Sequence, residues 1–444
     1  MTMTGFSASV KVRACSILLA STVLVSCGDD DPDPSSGVGP KPDLPQQSQY
    51  LFPPMHLAKV VGWRNNETPS VASGLKIAAL AQGLQHPRSV YPLPNGDVLV
   101  VESVAPPEAS PKRPKDIIMG LVQAFATNSG GGKPANRITL LRDTDGDGKA
   151  DIKEIFLEHL NSPFGIALVG DELYVANTDA IMRYPYKEGD TKISDSGTRL
   201  TELPGGPIDH HWTKSLVASE DGSRLYVGVG SNSNITENGI EAEKGRAAIW
   251  EVDRASGRAR IFADGLRNPN GLTFEPSTKA LWTVVNERDE LGPNLVPDYM
   301  TSVKEGGFYG WPYSYYGKNV DPRVMPQRPD LVEKAIPPDY ALGSHVAPLG
   351  LVFNQGQGLT AAYAGGAFVG EHGSWNRHSF NGYKVVYVPF AAGVPSGTPV
   401  DIVTGFLSEK NEARGRPVGL AMDKAGALLI ADDAGNTVWR VTPG

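Results

Sequence analysis

Short apolar runs of four or five residues alternate with polar turn residues along most of the chain. One unit recurs, in which a polar step, often with a proline, leads into glycine or another small residue, then an apolar strand, a Gly/Asp/Asn turn and a second strand. Its copies lie at residues 84–90, 160–166, 211–216, 266–272, 345–351 and 416–420. Six copies at intervals of roughly 50 to 80 residues predict an all-β fold, a six-bladed β-propeller with uneven loops.

The turns and the third strands favour the same architecture. Turn residues separate apolar runs at 94–97, 169–172, 220–223, 276–279 and 423–426, and third strands are predicted at 137–142, 180–184, 247–252, 383–388 and 437–441. The last unit ends close to the C-terminus, so closure of the ring requires an early strand near residues 78–80. The stretch between 104 and 136 is predicted to be a rim insertion.

The repeat also predicts which polar residues meet. In a blade, the innermost strand starts at one face of the propeller and its hairpin partner returns to that face. The residues before the first strand are Gln85/His86, Asn161, His210/His211, Arg267/Asn268, His345 and Arg416, and those after the second are Glu102, Asn177, Asn286/Glu287, Glu371/His372 and Asp432/Asp433. Any one of them alone is more often a strand cap, but their convergence indicates a binding or catalytic site.

The N-terminus has the pattern of an export signal followed by a linker. Lys11 and Arg13 precede an apolar stretch that is too short for a comfortable membrane span. Cys27 follows it as in a bacterial lipobox, which predicts a lipid anchor on the periplasmic side of the outer membrane, with a plain secretion signal as the alternative. The predicted divisions are a lipoprotein signal peptide at 1–26, a disordered tether at 27–50 and the propeller at 51–444.

The amino-acid composition limits the classes of binding partner and the architecture. The chain has 41 Lys and Arg against 49 Asp and Glu, so its net charge of −8 offers no basic footprint for nucleic acid. Fifty glycines and 36 prolines fit turn-rich β architecture. Cys15 lies in the predicted signal peptide, so we expect no internal disulfide in the mature chain.

An acidic loop is the sharpest local motif. Oxygen-bearing side chains fall at positions 1, 3, 5, 9 and 12 of a twelve-residue loop, with Gly148 at position 6, as in calcium-binding loops. These candidate ligands are Asp143, Asp145, Asp147, Asp151 and Glu154. The loop lies between two predicted strands, so we expect a structural calcium ion remote from catalysis, with an acidic surface turn as the alternative.

Two adjacent histidines enter the third unit. An imidazole at the mouth of a closed ring titrates near neutral pH and can take a proton from a substrate hydroxyl, with Asp209 or a neighbour orienting it. The sequence leaves open whether His210 or His211 is this base. A lone histidine is more often structural, but this pair occupies a position where the repeats converge.

The motifs at 210–216, 265–272, 291–294, 306–312 and 416–433 together resemble the soluble pyrroloquinoline quinone (PQQ)-dependent sugar dehydrogenases, and among them the sorbosone dehydrogenase-like branch. The resemblance extends from about residue 78 to 442 and implies a six-bladed propeller that oxidises an aldose or sugar aldehyde by hydride transfer to PQQ. It also implies an electron acceptor such as a cytochrome or a quinone. The chain departs from the family after His211, where Trp212 and Lys214 replace small residues and an arginine.

The resemblance further assigns roles to residues of this chain. It implies that His211 is the catalytic base and that Arg267 and Asn268 contact the quinone carbonyls. It implies that the backbone oxygens of Gly292 and Pro293 hold a calcium ion. Arg377 and Arg416 correspond to counter-ions of the PQQ carboxylates.

Two other classes of function remain open from the sequence. A calcium-dependent hydrolase of the lactonase type would need metal ligands that converge on the axis, for which Glu102, Asn177, Asn286 and Asp432 are candidates. A non-catalytic surface propeller is the other class, and it would leave the convergent polar and ionisable residues at the mouth without a function.

Overall fold

The computed structural model describes residues 37–49, 54–64, 66–107, 135–356, 358–359 and 361–444, which are nearly all β. Three strands precede the first blade: β1 (Val38–Gly39), β2 (Ser70–Val71) and β3 (Leu75–Gln82). Blade 1 contains β4 (Pro87–Pro92), β5 (Val98–Glu102), β6 (Arg137–Arg142) and β7 (Ile152–Leu157). Blade 2 contains β8 (Gly165–Val169), β9 (Glu172–Ala176), β10 (Ala180–Pro185) and β11 (Thr198–Glu202). Blade 3 contains β12 (Leu216–Ala218), β13 (Arg224–Val229), β14 (Ala248–Asp253) and β15 (Ala259–Asp264).

The last three blades carry additional short elements. Blade 4 contains β16 (Pro269–Phe274), β17 (Leu281–Val285), β18 (Pro297–Ser302) and β21 (Tyr340–Ser344), with the hairpin β19 (Ser314–Tyr315) and β20 (Asn319–Val320) inserted. Blade 5 contains β22 (Pro348–Phe353), β23 (Ala367–Glu371), β24 (Lys384–Val388) and β27 (Val400–Thr404), with β25 (Phe390–Ala391) and β26 (Val394–Pro395) inserted. Blade 6 contains β28 (Pro417–Met422), β29 (Leu428–Asp432) and β30 (Thr437–Pro443). The described helices are α1 (Pro329–Val332) and two 3-10 turns at Ile240–Glu243 and Ala361–Tyr363.

The six-bladed β-propeller predicted from the repeat is confirmed. Each blade is an antiparallel sheet of four strands, and β1 and β2 extend the outer edges of blades 4 and 5. The fourth strand of blade 6 is β3, which pairs with β30 from Leu75 opposite Pro443 to Gln82 opposite Thr437. The ring is therefore closed by an N-terminal strand that includes the predicted residues 78–80.

Small residues of the recurring unit lie where neighbouring innermost strands approach each other. A Cβ atom on Gly165 of blade 2 would lie 2.5 Å from the backbone nitrogen of Leu216 in blade 3. A Cβ atom on Gly350 of blade 5 would lie 2.1 Å from the carbonyl oxygen of Val418, which is the start of blade 6. The repeat therefore keeps a small residue at this position because the backbone of the next blade occupies the space of a side chain.

The core consists of apolar layers between adjacent blades. Every residue of β5, β17, β23 and β29 is buried. Trp282 of blade 4 packs in one cluster with Val369 and Val386 of blade 5, and Trp439 of blade 6 packs in another with residues of blade 5. Each such buried side chain contributes about 1.5–3 kcal/mol, so the ring is held together across every blade boundary.

The N-terminal region differs from the predicted disordered tether. Within residues 27–50, β1 pairs with β21, and Ser48 donates its backbone N–H to the Leu291 carbonyl over 2.8 Å. These are main-chain contacts, which amino-acid composition does not reveal. The predicted signal peptide, Cys27 and most of the rim insertion lie outside the described residues.

Among the described residues, no helix has the length and apolar character needed to cross a bilayer.

Replacing Gly350 with alanine tests the contact between innermost strands. The added methyl group meets the Val418 carbonyl, so we expect the free energy of unfolding to fall by about 1–3 kcal/mol. Chemical denaturation of the purified protein measures this change. Gly37→Ala is the matched control, because a Cβ atom there meets nothing within 4 Å. Equal stability of the two variants would contradict the packing argument.

Candidate functional site

The strand register brings the two predicted sets of polar residues to one mouth of the propeller. The first residue of each innermost strand lies opposite the last residue of its partner in blades 1, 5 and 6: Pro87 with Glu102, Pro348 with Glu371, and Pro417 with Asp432. The loops that lead into and out of these strands therefore share this mouth. It contains the candidate catalytic and cofactor-binding residues.

His211 is held at this mouth by one ring nitrogen. Its Nδ1 lies 2.9 Å from both the carbonyl oxygen and the hydroxyl of Ser231. Because the carbonyl only accepts, Nδ1–H donates to it, and Nε2 keeps its lone pair. Burial, followed by the positive charge of Arg267, lowers the pKa of His211 well below its usual value. His211 is therefore a neutral imidazole at neutral pH, which is the form a proton acceptor requires.

The neighbouring histidine has a different environment. His210 is exposed, and its ring centroid lies 4.8 Å from that of His211. The orienting group of His211 is Ser231 rather than Asp209, which was the candidate from the sequence. Sequence reasoning missed Ser231 because it lies in the loop after β13, and no spacing pattern links that loop to residue 211.

Asp209 instead belongs to a buried ionic network below the histidine turn. Its carboxylate pairs with Arg246 at 2.6 Å and with the Lys214 ammonium at 3.5 Å. Lys214 also donates to the Trp212 carbonyl over 2.8 Å, and its burial lowers its pKa to about 8. Lys214 thus fixes the backbone of the turn that carries His211.

Arg267 is buried and fully hydrogen-bonded within the protein. Its five N–H groups are directed to the carbonyl and side-chain oxygens of Asn234, the carbonyls of Asn286 and Glu287, and the Asp289 carboxylate, at 2.7–3.3 Å. The Ser231 N–H donates to the Arg267 carbonyl over 2.7 Å, which connects this arginine to the His211 anchor. Arg267 therefore supplies positive potential at His211. Direct contact with a ligand would require it to exchange one of these partners.

Asn268 lies against the same turn. Its side-chain oxygen is buried and, within the described part of the chain, has no hydrogen-bond partner. A Cβ atom on Gly230 would lie 2.4 Å from the His211 Cβ and 2.6 Å from this oxygen, so the lack of a side chain at Gly230 lets both groups approach the same point. The structure thus brings His211, Arg267 and Asn268 together.

The turn that contains Gly292 and Pro293 joins the same group of residues. His345 contacts the Gly292 carbonyl at 3.3 Å, and Arg377 donates to the Pro293 carbonyl over 3.0 Å. Asp289 connects this turn to Arg267, because its carboxylate lies 3.5 Å from His345 and 3.2 Å from Arg267. Asp289 is a site residue that the sequence alone did not single out.

A second cationic group lies across the mouth. The Asp433 carboxylate contacts His372 at 3.0 Å and forms an ion pair with Arg88. Burial acts to raise the pKa of Asp433, but His372, Arg88 and Arg416 outweigh it and hold that pKa below its usual range. The Nε atoms of Arg88 and Arg416 are buried and lack hydrogen-bond partners among the described residues. Arg88 was not a sequence candidate, although it occupies the repeat position just before the small residue.

The floor of the site is aromatic. The Arg88 guanidinium lies 5.6 Å from the Trp212 ring centroid and 5.9 Å from that of Phe164. Trp212 packs on a cluster of Phe164, Leu349 and Val418. On the other side of this layer, a cavity of about 540 Å³ follows the axis between the innermost strands and is lined by Leu272, Leu351, Leu420 and neighbouring residues. His211, Arg267 and Arg416 do not line that cavity.

The acidic loop lies on the opposite face, between β6 and β7. Asp143, Asp145 and Asp151 present carboxylate oxygens within 4.8 Å of one another. Asp147 instead accepts the Lys149 N–H over 2.8 Å, and Glu154 lies within β7, opposite Leu140. Three of the five sequence-predicted ligands therefore converge, and calcium at this loop stays a prediction.

Fold and site together define a closed six-bladed propeller with a neutral imidazole, several guanidinium groups and an aromatic floor at one mouth of its axis. The chain belongs to the TrAA12-like family, which matches it over residues 134–305 and 330–443.

Relatives with sequence similarity include an uncharacterized protein of Borreliella burgdorferi, 30% identical over 64% of this chain and 76% of that protein. A PQQ-dependent pyranose dehydrogenase of Coprinopsis cinerea is 24% identical over 84% of this chain. The aligned region spans 54% of that enzyme's own length.

Solved structures show the same fold. The holo form of the PQQ domain of the Coprinopsis cinerea pyranose dehydrogenase has a TM-score of 0.68 and 20% identity, and covers 87% of this chain and 100% of that domain. A calcium structure of a Trichoderma reesei AA12 enzyme also has a TM-score of 0.68, with 19% identity and coverage of 86% and 99%.

Calcium binding at the acidic loop can be tested by single substitutions. Asp145→Asn removes a charge from the three converging carboxylates, so we expect calcium affinity to fall about tenfold or more. Asp147→Asn is the control, because Asp147 lies outside the cluster. Terbium luminescence at the loop, displaced by calcium, measures both affinities. Equal losses in the two variants, or no calcium-displaceable signal in the wild type, would refute this geometry.

Proposed function

We propose that this protein is a PQQ-dependent oxidoreductase of sugars, in which His211 is the base. The observation that carries the proposal is the neutral imidazole fixed by Ser231 at a mouth that contains four guanidinium groups. The named relatives support the same reaction class. The substrate class proposed is an aldose or a sugar aldehyde of the sorbosone type.

The residues fit PQQ by their charge and by their unsatisfied donors. PQQ carries three carboxylates, and arginine binds carboxylates in bidentate geometry. The buried Nε groups of Arg88 and Arg416 have no acceptor among the described residues, so an anionic ligand would satisfy them. Arg377 lies on the other side of the mouth. These three side chains would hold the carboxylates, and Arg267 would contribute mainly its charge.

Calcium is proposed at the Gly292–Pro293 turn. The Pro293 carbonyl accepts from Arg377 over 3.0 Å, which leaves one of its two lone pairs for a hard cation. The Gly292 carbonyl has longer contacts, with His345 at 3.3 Å and with the Leu295 N–H at 3.4 Å, and a cation would have to displace one of them. The Arg377 guanidinium opposes a bare divalent ion at this turn, so anionic oxygens of the cofactor are needed to balance the charge.

The protein's part in the reaction is proton transfer and charge placement. His211 Nε2 accepts the proton of the substrate hydroxyl, and Ser231 holds the ring in the tautomer that leaves Nε2 available. Bound PQQ would supply the electrophilic quinone that takes the hydride. Arg267 places positive charge next to the histidine, which keeps the imidazole unprotonated before the reaction. The Trp212 layer separates this mouth from the axial cavity and excludes water from below.

Two of the four candidate ligands of the lactonase alternative are engaged by protein donors. The Glu102 carboxylate accepts from Arg137, Thr139 and the backbone of Gln85. The Asp432 carboxylate accepts two indole and two backbone N–H groups. Both are occupied by protein donors rather than directed together at one metal position on the axis.

We further propose a bacterial cell-envelope location with a lipid anchor at Cys27, on the periplasmic side of the outer membrane. This rests on the lipobox pattern of the sequence alone. A cytochrome or a membrane quinone would then be the acceptor.

Reconstitution tests the proposed cofactor. We expect the purified apoprotein to bind PQQ in the presence of calcium and then to reduce an artificial dye with aldoses or sugar aldehydes. Chelation of calcium should abolish dye reduction. Lactone hydrolysis without dye reduction would favour the hydrolase instead, and the absence of both ligand binding and activity would favour a non-catalytic propeller.

Substitution of the two histidines separates the base from its neighbour. His211→Ala should keep PQQ bound and lower turnover by about 100-fold or more, because it removes general-base catalysis. His210→Ala is the control and should keep most activity. The pKa of His211 is lowered below the ordinary histidine value of about 6.5. Wild-type turnover should therefore stay constant from pH 8 down to about pH 6.5 and fall only at lower pH, where His211 becomes protonated. Full turnover in His211→Ala would overturn the assignment.

A further inference from the structure

One N-terminal segment contacts three loops at the mouth that carries the candidate site. We call residues 44–49 and 54–63 the N-terminal strap. After β1 pairs with the outer strand of blade 4, the strap touches the loops of blades 4, 5 and 6 in turn. Each of these loops contains residues assigned above to the cofactor or to calcium. The strap therefore lies on the half of the site formed by Gly292, Pro293, Arg377 and Arg416.

The first contacts are to blades 4 and 5. Ser48 donates its N–H to the Leu291 carbonyl over 2.8 Å, one residue before Gly292. His56 donates its N–H to the Trp375 carbonyl over 2.8 Å, and its ring stacks on Phe380 with centroids 4.0 Å apart. The turn from Trp375 to Phe380 is the one that carries Arg377. Two of the three loops are thus tied to the strap by backbone hydrogen bonds.

The third contact ties the strap to blade 6 through a buried carboxylate. Trp63 Nε1 donates to Asp432 Oδ2 over 2.6 Å, and the other oxygen of Asp432 accepts the Arg416 N–H over 2.8 Å. Gly435 makes room for this contact, since a Cβ atom there would lie 2.2 Å from Asp432 Oδ2 and 2.5 Å from the Trp63 ring. One carboxylate therefore connects Trp63 to the backbone of a candidate PQQ ligand.

We propose that the N-terminal strap is a positioning element of the cofactor site, in which Ser48 fixes the Gly292 turn and Trp63, through Asp432, fixes Arg416. The proposal rests on the proposed PQQ function. Backbone at a ligand site that is ordered before binding costs less entropy when the ligand arrives, so the strap raises cofactor affinity. By reciprocity, bound cofactor stabilises the strap.

Two variants of the N-terminal strap test the proposal, each at a different hydrogen bond between the strap and the site, and a third variant is the control. Trp63→Phe removes the indole donor and keeps an aromatic ring against Phe406 and Trp439. Ser48→Pro removes the N–H that reaches Leu291, and it also fixes φ at this residue. Lys59→Ala is the control, because its side chain is exposed on the same strap. Titration with PQQ in excess calcium should give about tenfold weaker binding for the first two variants, from the loss of one buried hydrogen bond, and unchanged binding for the control.

A second readout separates positioning from general destabilisation. Hydrogen exchange in wild-type protein should slow within residues 44–49 and 54–63 when PQQ and calcium bind. In apoprotein, Trp63→Phe should speed exchange within 413–416 and 432–436 while the melting temperature stays within a few degrees of the wild type. Turnover at saturating PQQ should change little, because the base is untouched.

The outcomes distinguish this proposal from the proposed function. Wild-type PQQ affinity in both Trp63→Phe and Ser48→Pro, with no change in strap exchange on binding, overturns the strap proposal and leaves the PQQ function standing. If the wild type binds no PQQ, the proposed function fails. Exchange in apoprotein then decides whether Trp63 orders the Arg416 loop: faster exchange in Trp63→Phe supports that role, and unchanged exchange overturns it.

Discussion

The close approach of the six innermost strands is the constraint on which the rest of the structure depends. At Gly165, Gly350 and Gly419 the backbone of the next blade occupies the space where a Cβ atom would lie. Only with small residues at these positions do neighbouring strands come near enough for their starts to surround one axis. The residues at and just before those starts then face one another, so a packing requirement of the fold places His211, Arg88 and Arg416 at one mouth.

Several arginines lie at that mouth, and they differ in how fully the protein satisfies their hydrogen-bond donors. Arg267 has an acceptor for each of its donors, and Asp289 links it to His345. Arg88 and Arg416 share Asp433 with His372 and still keep buried Nε atoms without an acceptor among the described residues. Buried donors without acceptors are costly, and an anion that reached these atoms would satisfy them. The contrast distinguishes an arginine that builds the site from two that are suited to bind an anion.

Features of the fold that depend on the periodicity of the repeat could be predicted from the sequence. Site residues that depend on contacts between distant loops could not. Blade number, ring closure by β3 and the convergence of the two polar sets follow from the repeat, and all appear in the structure. Ser231 and Asp289 lie in loops whose partners are distant in sequence, so no spacing indicated their roles. Residues 44–49 of the N-terminal strap fall within the predicted tether 27–50, which has few large apolar residues, whereas 54–63 belong to the predicted propeller. Residues 44–49 are held by contacts such as the Ser48 N–H to the Leu291 carbonyl, which amino-acid composition does not reveal.

Trp212 and Lys214 show how a bulky side chain is accommodated beside His211. The indole packs on Phe164 in an edge contact, with ring centroids 6.1 Å apart, and forms the layer between the charged mouth and the axial cavity. Such a side chain next to His211 would shift the turn unless its backbone were fixed. Lys214 fixes it by donating to the Trp212 carbonyl, and Asp209 neutralises the buried ammonium while also pairing with Arg246. The buried ammonium of Lys214 therefore links the turn that carries Trp212 and His211 to the Asp209–Arg246 ion pair.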